Sequence, residues 1–242
     1  MVNPGRRACT RVAPMVAMAL AMASSPVGAG LMASPVRIQF TPKDRVVSLH
    51  LTNDGDKDLM VQTELFKWQQ AANGQDVFAP AEGVVITPPI LRIPAGTTKV
   101  LRMARLRAGQ PDTQIAHRLF IHELAPPDSE EPQGLNARFS VSFSIPIFIN
   151  AMQPRREVQC QPTPQLAAVE CRNTGNTFVR VTQASVAQGE QPVAQAEGTH
   201  YLLPGTTKLL PLKASTQPVA GPTRLTVQFE DGSQQTSVSN LP

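Results

Sequence analysis

Short segments in which apolar and polar residues alternate one by one recur along most of this 242-residue chain. An alternation of period two places the apolar residues on one face of a β-strand and the polar residues on the other. The chain also contains 23 prolines, which interrupt long helices and central strands but fit turns and sheet edges. The sequence therefore predicts an all-β protein built from many short strands.

The predicted strands divide into two groups. Seven or eight lie between Val36 and Ile149, joined by turn signals such as Asn53-Asp54-Gly55, and they predict an antiparallel β-sandwich of immunoglobulin type. A polar, proline-containing linker begins at Asn150, and the strands that follow it predict a second, smaller sandwich. We expect the domains to be residues 30–150 and 151–242, and no repeat of the first domain's sequence is recognisable in the second.

The first 29 residues have the composition of a secretory signal peptide. Arg6, Arg7 and Arg11 flank the start of an apolar run, Val12–Ala23, that is too short to span a bilayer comfortably. We expect cleavage after Ala29, export to the periplasm of a Gram-negative bacterium and no membrane insertion. Cleavage removes three basic residues and no acidic one, which leaves a net charge of about +1 and gives no support for a nucleic-acid partner.

Few residue patterns in the mature chain suggest a chemical site. Cys160 and Cys171 form an even pair in an exported protein, which predicts a disulfide across a hairpin of the second domain. The four histidines are too scattered to form a metal site, and the sequence contains no phosphate-binding loop or nucleophile elbow. We therefore expect no catalytic residues, no metal and no cofactor, and predict that the protein is not an enzyme.

The last predicted strand of the first domain, "RFSVSFSIPIF" (Arg138–Phe148), has the clearest alternation in the chain. Phe139, Val141, Phe143 and Ile145 are separated by serines, and Pro146 then interrupts the strand. Proline lacks the N–H that a central strand needs, so it favours an edge position. An apolar edge promotes aggregation unless something covers it. The row therefore either faces its own core or is offered to the sheet of another molecule.

Several segments, in this order and spacing, resemble the periplasmic pilus-assembly chaperones of the chaperone–usher pathway. The strongest are in the first domain, and weaker fragments follow in the second: "RIQFTPKDRVVSLHLTN" (Arg37–Asn53), "TPPILRIPAGTTKVLRM" (Thr87–Met103), "HRLFIHELAPP" (His117–Pro127), "GNTFVRVT" (Gly175–Thr182), "YLLPG" (Tyr201–Gly205) and "FEDG" (Phe229–Gly232). The resemblance implies two immunoglobulin-like β-sandwich domains in an angled, boomerang arrangement with a cleft between them. It also implies two partners, pilin subunits and an outer-membrane usher.

The resemblance further implies donor-strand complementation, in which the chaperone lends a strand to a pilin that lacks its own last strand. On this chain the donor residues would be Phe139, Val141, Phe143 and Ile145. Each large apolar side chain that becomes fully buried contributes about 1.5–3 kcal/mol. The sequence leaves open whether the free protein also self-associates through this edge.

The family anchors the terminal carboxylate of the pilin with an arginine on the first strand and a lysine on the last. Arg37 occupies the place of the arginine, and a guanidinium can hold a carboxylate through two parallel hydrogen bonds. Pro146 stands where the lysine is expected, so the second half of the anchor is missing. Arg102 and Arg118 are the candidate substitutes, and the sequence does not rank them.

Three other interpretations make different predictions about the sequence. A secreted two-domain immunoglobulin-like structural or adhesion module would carry a conventional, charged last strand in the first domain. A pilin-like subunit would have an incomplete sandwich and an N-terminal donor extension. A sandwich enzyme would need clustered catalytic or metal-binding side chains.

Overall fold

A computed structural model describes residues 30–107, 109–124, 142–215 and 222–239. These residues form eighteen strands and no helix, which confirms the predicted all-β class. In chain order the strands are β1 (Leu31–Ser34), β2 (Ile38–Phe40), β3 (Val46–Asn53), β4 (Leu59–Gln70), β5 (Asp76–Pro80), β6 (Val84–Thr87), β7 (Ile90–Ile93), β8 (Thr98–Arg105), β9 (Ile115–Leu124), β10 (Ser142–Ile149), β11 (Val158–Pro162), β12 (Ala168–Asn173), β13 (Val179–Gln188), β14 (Gln191–Ala196), β15 (His200–Leu202), β16 (Thr207–Ala214), β17 (Thr223–Phe229) and β18 (Gln234–Ser239). No helix in this part of the chain is long and apolar enough to cross a membrane.

The first ten strands form a sandwich of two sheets. One sheet has the order β1-β3-β8-β6, and the other has the order β2-β10-β9-β4-β5, with β7 also paired to β4. The predicted alternation is visible in β3, where Leu49 and Leu51 are buried in the core and His50 between them is exposed. The core also contains fully buried side chains from the facing sheet, including Leu119 and Ile121 of β9.

The last eight strands form the second sandwich. Their sheet has the order β11-β12-β16-β14-β13-β17-β18, with β15 paired to β13. It folds over a single core because β16 pairs with β12 along one part of its length and with β14 along another. Cys160 of β11 and Cys171 of β12 face each other in the ladder and form the predicted disulfide.

A buried asparagine closes a turn in the first sandwich. The side-chain amide of Asn53 donates to the carbonyl oxygens of Lys57 at 2.7 Å and Ile93 at 3.0 Å. Its Oδ1 accepts from the backbone N–H of Gly55 at 3.0 Å. The backbone N–H of Asn53 donates to the carbonyl of Thr97 at 2.9 Å. All the polar groups of this 1%-exposed side chain are thus used to join the end of β3 to a neighbouring loop.

The second sandwich repeats this arrangement. Asn173 donates to the carbonyls of Thr177 at 2.8 Å and Leu202 at 3.0 Å, and it accepts from Gly175 at 3.0 Å. Its backbone N–H donates to Thr206 at 2.9 Å. The two domains thus share a local turn, although no repeat of the first domain's sequence is recognisable in the second. The shared residues are only Asn-x-Gly and, further on, Pro-Ala-Gly-Thr in the first domain and Pro-Gly-Thr in the second.

A third apolar cluster joins the two sandwiches. Its members are Trp68, Ala116, Phe148, Phe178, Tyr201 and Leu203. The rings of Phe148 and Phe178 stack with their centroids 4.1 Å apart. The side-chain amide of Gln70 donates to the carbonyl of Tyr201 at 2.9 Å and accepts from the N–H of Leu203 at 2.8 Å. These contacts hold the face of β4, β9 and β10 that carries Trp68 and Phe148 against the second sandwich.

Candidate functional site

One edge of β10 is only partly covered. On one side, β9 pairs with all eight residues of β10. On the other side, β2 pairs only with Ile147–Ile149. Among the strands of the described ranges, none pairs with that side of Ser142–Pro146. The predicted edge position of Pro146 therefore agrees with the sheet order, since β2 begins its pairing at the next residue.

The apolar row of this strand is divided between the core and the edge. Ile145 is only 3% exposed, and it lies in the core of its own sandwich opposite Leu119. Phe143 is partly buried against the same core. Phe139 and Val141 lie outside the described residues. In this structure Ile145 thus serves its own domain, and the donor role predicted for the whole row stays a prediction.

Two arginines lie level with Pro146 on neighbouring strands. Arg118 of β9 is the direct ladder partner of Pro146. Arg37 comes one residue before Ile38, which pairs with Ile147, so it lies level with Pro146 on the other side. Residues that face each other across a ladder project to the same face of the sheet. The position expected to carry a lysine is therefore flanked by two guanidinium groups.

The guanidinium of Arg37 is already paired with a carboxylate of the second sandwich. Its Nη1 lies 2.5 Å from Oε2 of Glu230, and its central carbon lies 5.5 Å from the ring centroid of Phe178. Burial lowers the pKa of Arg37, but the interactions with Glu230 and Tyr201 outweigh burial, so the pKa is raised. Arg37 is charged at any physiological pH and can bind a carboxylate.

Glu230 is shared between the two sandwiches. Its second oxygen, Oε1, lies 2.5 Å from Nη1 of Arg180, which belongs to β13. Burial raises the pKa of Glu230, but the hydrogen bonds from Arg180 and Arg37 lower the pKa by more than burial raises it. The carboxylate therefore stays ionised. The sequence did not predict Glu230, Arg180 or Tyr201 as site residues. The available signal was that each lies in one of the second-domain fragments that resemble the family.

Arg118 is the second cation of the site. Its guanidinium carbon lies 3.9 Å from the ring centroid of Trp68 and 5.5 Å from that of Tyr201, which is cation–π geometry. Burial lowers the pKa of Arg118. Arg118 forms no ion pair within the described ranges. Its contacts to the carbonyl and hydroxyl oxygens of Ser144 are long, at 3.5 Å.

Arg102 lies elsewhere. It is an exposed residue of β8, in the other sheet of the first sandwich, where it pairs with Ser48 and Thr87. The structure thus places Arg118 and Arg37 on either side of Pro146 and leaves Arg102 on a different sheet. Together, the uncovered edge and the arginine pair form a surface suited to an extended chain with a negatively charged end. No group of three metal-binding side chains occurs in the described part of the chain.

Residues 30–154, just over half of the chain, match the family model described as "Pili and flagellar-assembly chaperone, PapD N-terminal domain". The chain belongs to the pilus-assembly chaperones. The family's role is the folding and delivery of subunits, so this pilus chaperone is not an enzyme, as predicted. Chaperones of this family act in the periplasm.

Solved structures support the fold of this pilus chaperone over nearly its whole length. A chaperone–tip adhesion subunit complex from Acinetobacter baumannii Csu pili superposes with a TM-score of 0.61 at 20% identity, covering 87% of this chain and 98% of that one. The E. coli chaperone DraB gives 0.57 at 20% identity, with coverage of 88% and 97%. The Pseudomonas aeruginosa CupB2 chaperone gives 0.57 at 19% identity, with coverage of 87% and 100%. No curated protein sequence matches the chain.

Proposed function

We propose that this chaperone captures a pilus subunit along the uncovered edge of β10 and holds the subunit's terminal carboxylate between Arg37 and Arg118. The observation that carries the proposal is the point at which the uncovered edge ends. β2 runs parallel to β10 and begins directly after Arg37. A subunit strand that pairs in parallel with Ser142–Pro146 would therefore lie in line with β2 and end at Arg37. The end of a strand that runs in this direction is its carboxylate.

Arg118 takes the role of the absent lysine in this proposal. It stands directly across the ladder from Pro146 and has no carboxylate partner among the described residues. Its guanidinium is held over Trp68, so little side-chain freedom remains to be lost when a ligand binds. Charge-assisted hydrogen bonds are about twice as strong as neutral ones, and partial burial strengthens them further. Proline at position 146 leaves the space between the two arginines free of a competing cation.

The donor row in this proposal is Phe143 together with Phe139 and Val141, which continue its alternation in the sequence. Ile145, already in the core, links this row to the rest of the sandwich. Pairing by strand addition gains affinity from backbone hydrogen bonds and gains register from alternate side chains. Similar structures include a Salmonella enterica SafA pilin in complex with the SafB chaperone, which supports a pilin as the partner here.

The remaining parts of the proposal concern export and delivery. Residues 1–29, outside the described ranges, act as a signal peptide that is cleaved after Ala29 in a Gram-negative cell. Residues 30–150 and 151–242 are the two domains of the mature chain. The captured subunit is passed to an outer-membrane usher, which the similarity to the chaperone of the chaperone-usher Csu pili supports.

The test is co-purification of a pilus subunit that is co-expressed with this chaperone. Arg37→Ala and Arg118→Ala each remove charge-assisted hydrogen bonds of about 1.5–3 kcal/mol, so each lowers subunit affinity about tenfold or more. Arg102→Ala is the matched control, because it removes an exposed arginine from the other sheet. Normal recovery with Arg37→Ala would contradict the anchor, and normal recovery with Arg118→Ala would contradict the substitution for lysine.

A further inference from the structure

The proposed anchor already holds a carboxylate, and that carboxylate belongs to the protein itself. Glu230 directly follows β17 in the second sandwich, whereas Arg37 directly precedes β2 in the first. Their side chains are 31% and 28% exposed, so the 2.5 Å pair is partly shielded from water. The carboxylate offsets part of the cost of burying the charge of Arg37.

We infer that Glu230 is an internal ligand, which occupies the subunit anchor until the carboxylate of an incoming subunit displaces it from Arg37. This inference rests on the proposed role of Arg37. The internal ligand, the side chain of Glu230, and the external ligand, the terminus of the subunit, both bind through a carboxylate. A carboxylate that binds Arg37 must therefore compete with Glu230, and the measured affinity for a subunit is lower than the intrinsic affinity of the anchor.

Displacement does not leave Glu230 without a partner. Its Oε1 stays bonded to Arg180, which belongs to the same sandwich and lies beside it in the ladder. The backbone N–H of Glu230 also donates to the carbonyl of Arg180 at 3.0 Å, which holds the two residues together. Exchange at Arg37 thus replaces one ion pair with another, while the Arg180–Glu230 pair persists. The exchange is close to balanced, and a competing carboxylate of ordinary strength can drive it.

Arg118 gives the incoming carboxylate a place to bind before the exchange. Its guanidinium and that of Arg180 lie at 5.5 Å and 5.4 Å from the ring centroid of Tyr201, and the same tyrosine contributes to the raised pKa of Arg37. Three cations therefore surround one ring, and Glu230 bridges two of them. A subunit carboxylate can first contact Arg118 and then displace Glu230 from Arg37.

The experiment uses the mature protein and sodium acetate as the carboxylate probe, with the Nε–H signal of Arg37 followed by NMR. Glu230→Gln removes the internal competitor, so acetate perturbs Arg37 at concentrations about fivefold lower than in the wild type, the equivalent of about 1 kcal/mol. Glu230→Asp keeps the charge but shortens the side chain, and it shifts the titration less in the same direction. Glu197→Gln is the matched control, because its ion pair with Lys213 at 3.0 Å lies within the second sandwich. Thermal melting of each variant establishes that it is folded.

Two outcomes would overturn the inference. One is an acetate titration that is unchanged in Glu230→Gln, and the other is weaker acetate binding, which would make Glu230 a residue that positions Arg37 for its ligand. The failure of the anchor itself has a different result. In that case Arg37→Ala recovers as much subunit as the wild type. If only the internal-ligand inference fails, Arg37→Ala recovers less subunit than the wild type, and the acetate titration of Glu230→Gln matches that of the wild type.

Discussion

The two sandwiches differ most at their edge strands. In the first, β10 leaves Ser142–Pro146 uncovered and carries no charged residue along its whole length. In the second, the outer strand β11 is covalently tied to β12 by the disulfide. The other outer strand, β18, has the mostly polar sequence QQTSVS. Proteins normally protect exposed edges with charge, polarity or a cover. The outer strand β18 has such protection, and the described part of the first edge lacks it.

The buried asparagine turns show that this difference is not demanded by the fold. Asn53 and Asn173 make the same three side-chain hydrogen bonds in the two sandwiches, so both domains close the same strand end in the same way. The two domains therefore share an architecture but differ in whether an outer strand is left apolar and uncovered. An unprotected edge in only one domain is explained by a partner that covers it.

The largest expected effect comes from placing a charge on each edge in turn. Phe143→Glu would force an unpaired carboxylate into the subunit interface, which costs several kcal/mol, so we expect about a hundredfold or greater loss of subunit affinity. Val238→Glu places the same charge on β18, where the side chain is 63% exposed, and leaves affinity unchanged. The measurement is soluble subunit recovered with each variant. Equal recovery with the two variants would remove the functional distinction between the edges.

The second effect tests what the two sandwiches share. Asn53→Ala and Asn173→Ala each delete three hydrogen bonds of a side chain that is at most 1% exposed. At about 1 kcal/mol for each bond, we expect each substitution to lower the free energy of unfolding by about 2–4 kcal/mol. Urea denaturation measures both losses. A loss confined to one variant would show that the two turns are similar in geometry but not in energy.

The smallest effect compares the buried His117 of the first sandwich with the partly buried His200 of the second. His117 is 1% exposed and its ring nitrogens form no hydrogen bond, and burial lowers its pKa more than the nearby Glu82 carbonyl raises it. The pKa of His200 is also lowered by burial, although its Nε2 lies 2.9 Å from the carbonyl of Glu197. In both cases the unfolded chain binds the proton more readily. Stability therefore falls as the pH drops below the ordinary histidine value of 6.5.

We expect His117→Gln to flatten this fall between about pH 6.5 and 5 more than His200→Gln does, because His117 is the more deeply buried of the two. Thermal melting over this pH range measures the slopes, and comparing slopes separates the titration from any constant cost of the substitution. Equal slopes in His117→Gln and the wild type would show that His117 does not titrate on unfolding.

Alternation and composition predicted much of the fold. The period of two in segments such as Val46–Asn53 predicted strands, and the even pair Cys160 and Cys171 predicted the disulfide. Pro146 predicted an edge, because a missing N–H is a local property of one residue type. The same alternation could not separate Phe143 from Ile145, since both lie on one face of one strand. Whether that face meets its own core or open space depends on where the facing sheet ends.

The sequence by itself determined that this chain is all-β and that its first domain ends in a strand with a regular apolar row. Through the family resemblance it also made Arg37 a candidate for a carboxylate anchor. Only the tertiary structure decided which second arginine stands beside it. Arg118 is eighty-one residues from Arg37 in the chain, and their proximity follows from the pairing of β10 with both β9 and β2. The occupation of Arg37 by Glu230, 193 residues away, likewise depends on how the two sandwiches pack. Local sequence patterns indicate which segments form strands and which face of each strand is apolar. Contacts between charges that are distant in the sequence arise only when the strands are assembled.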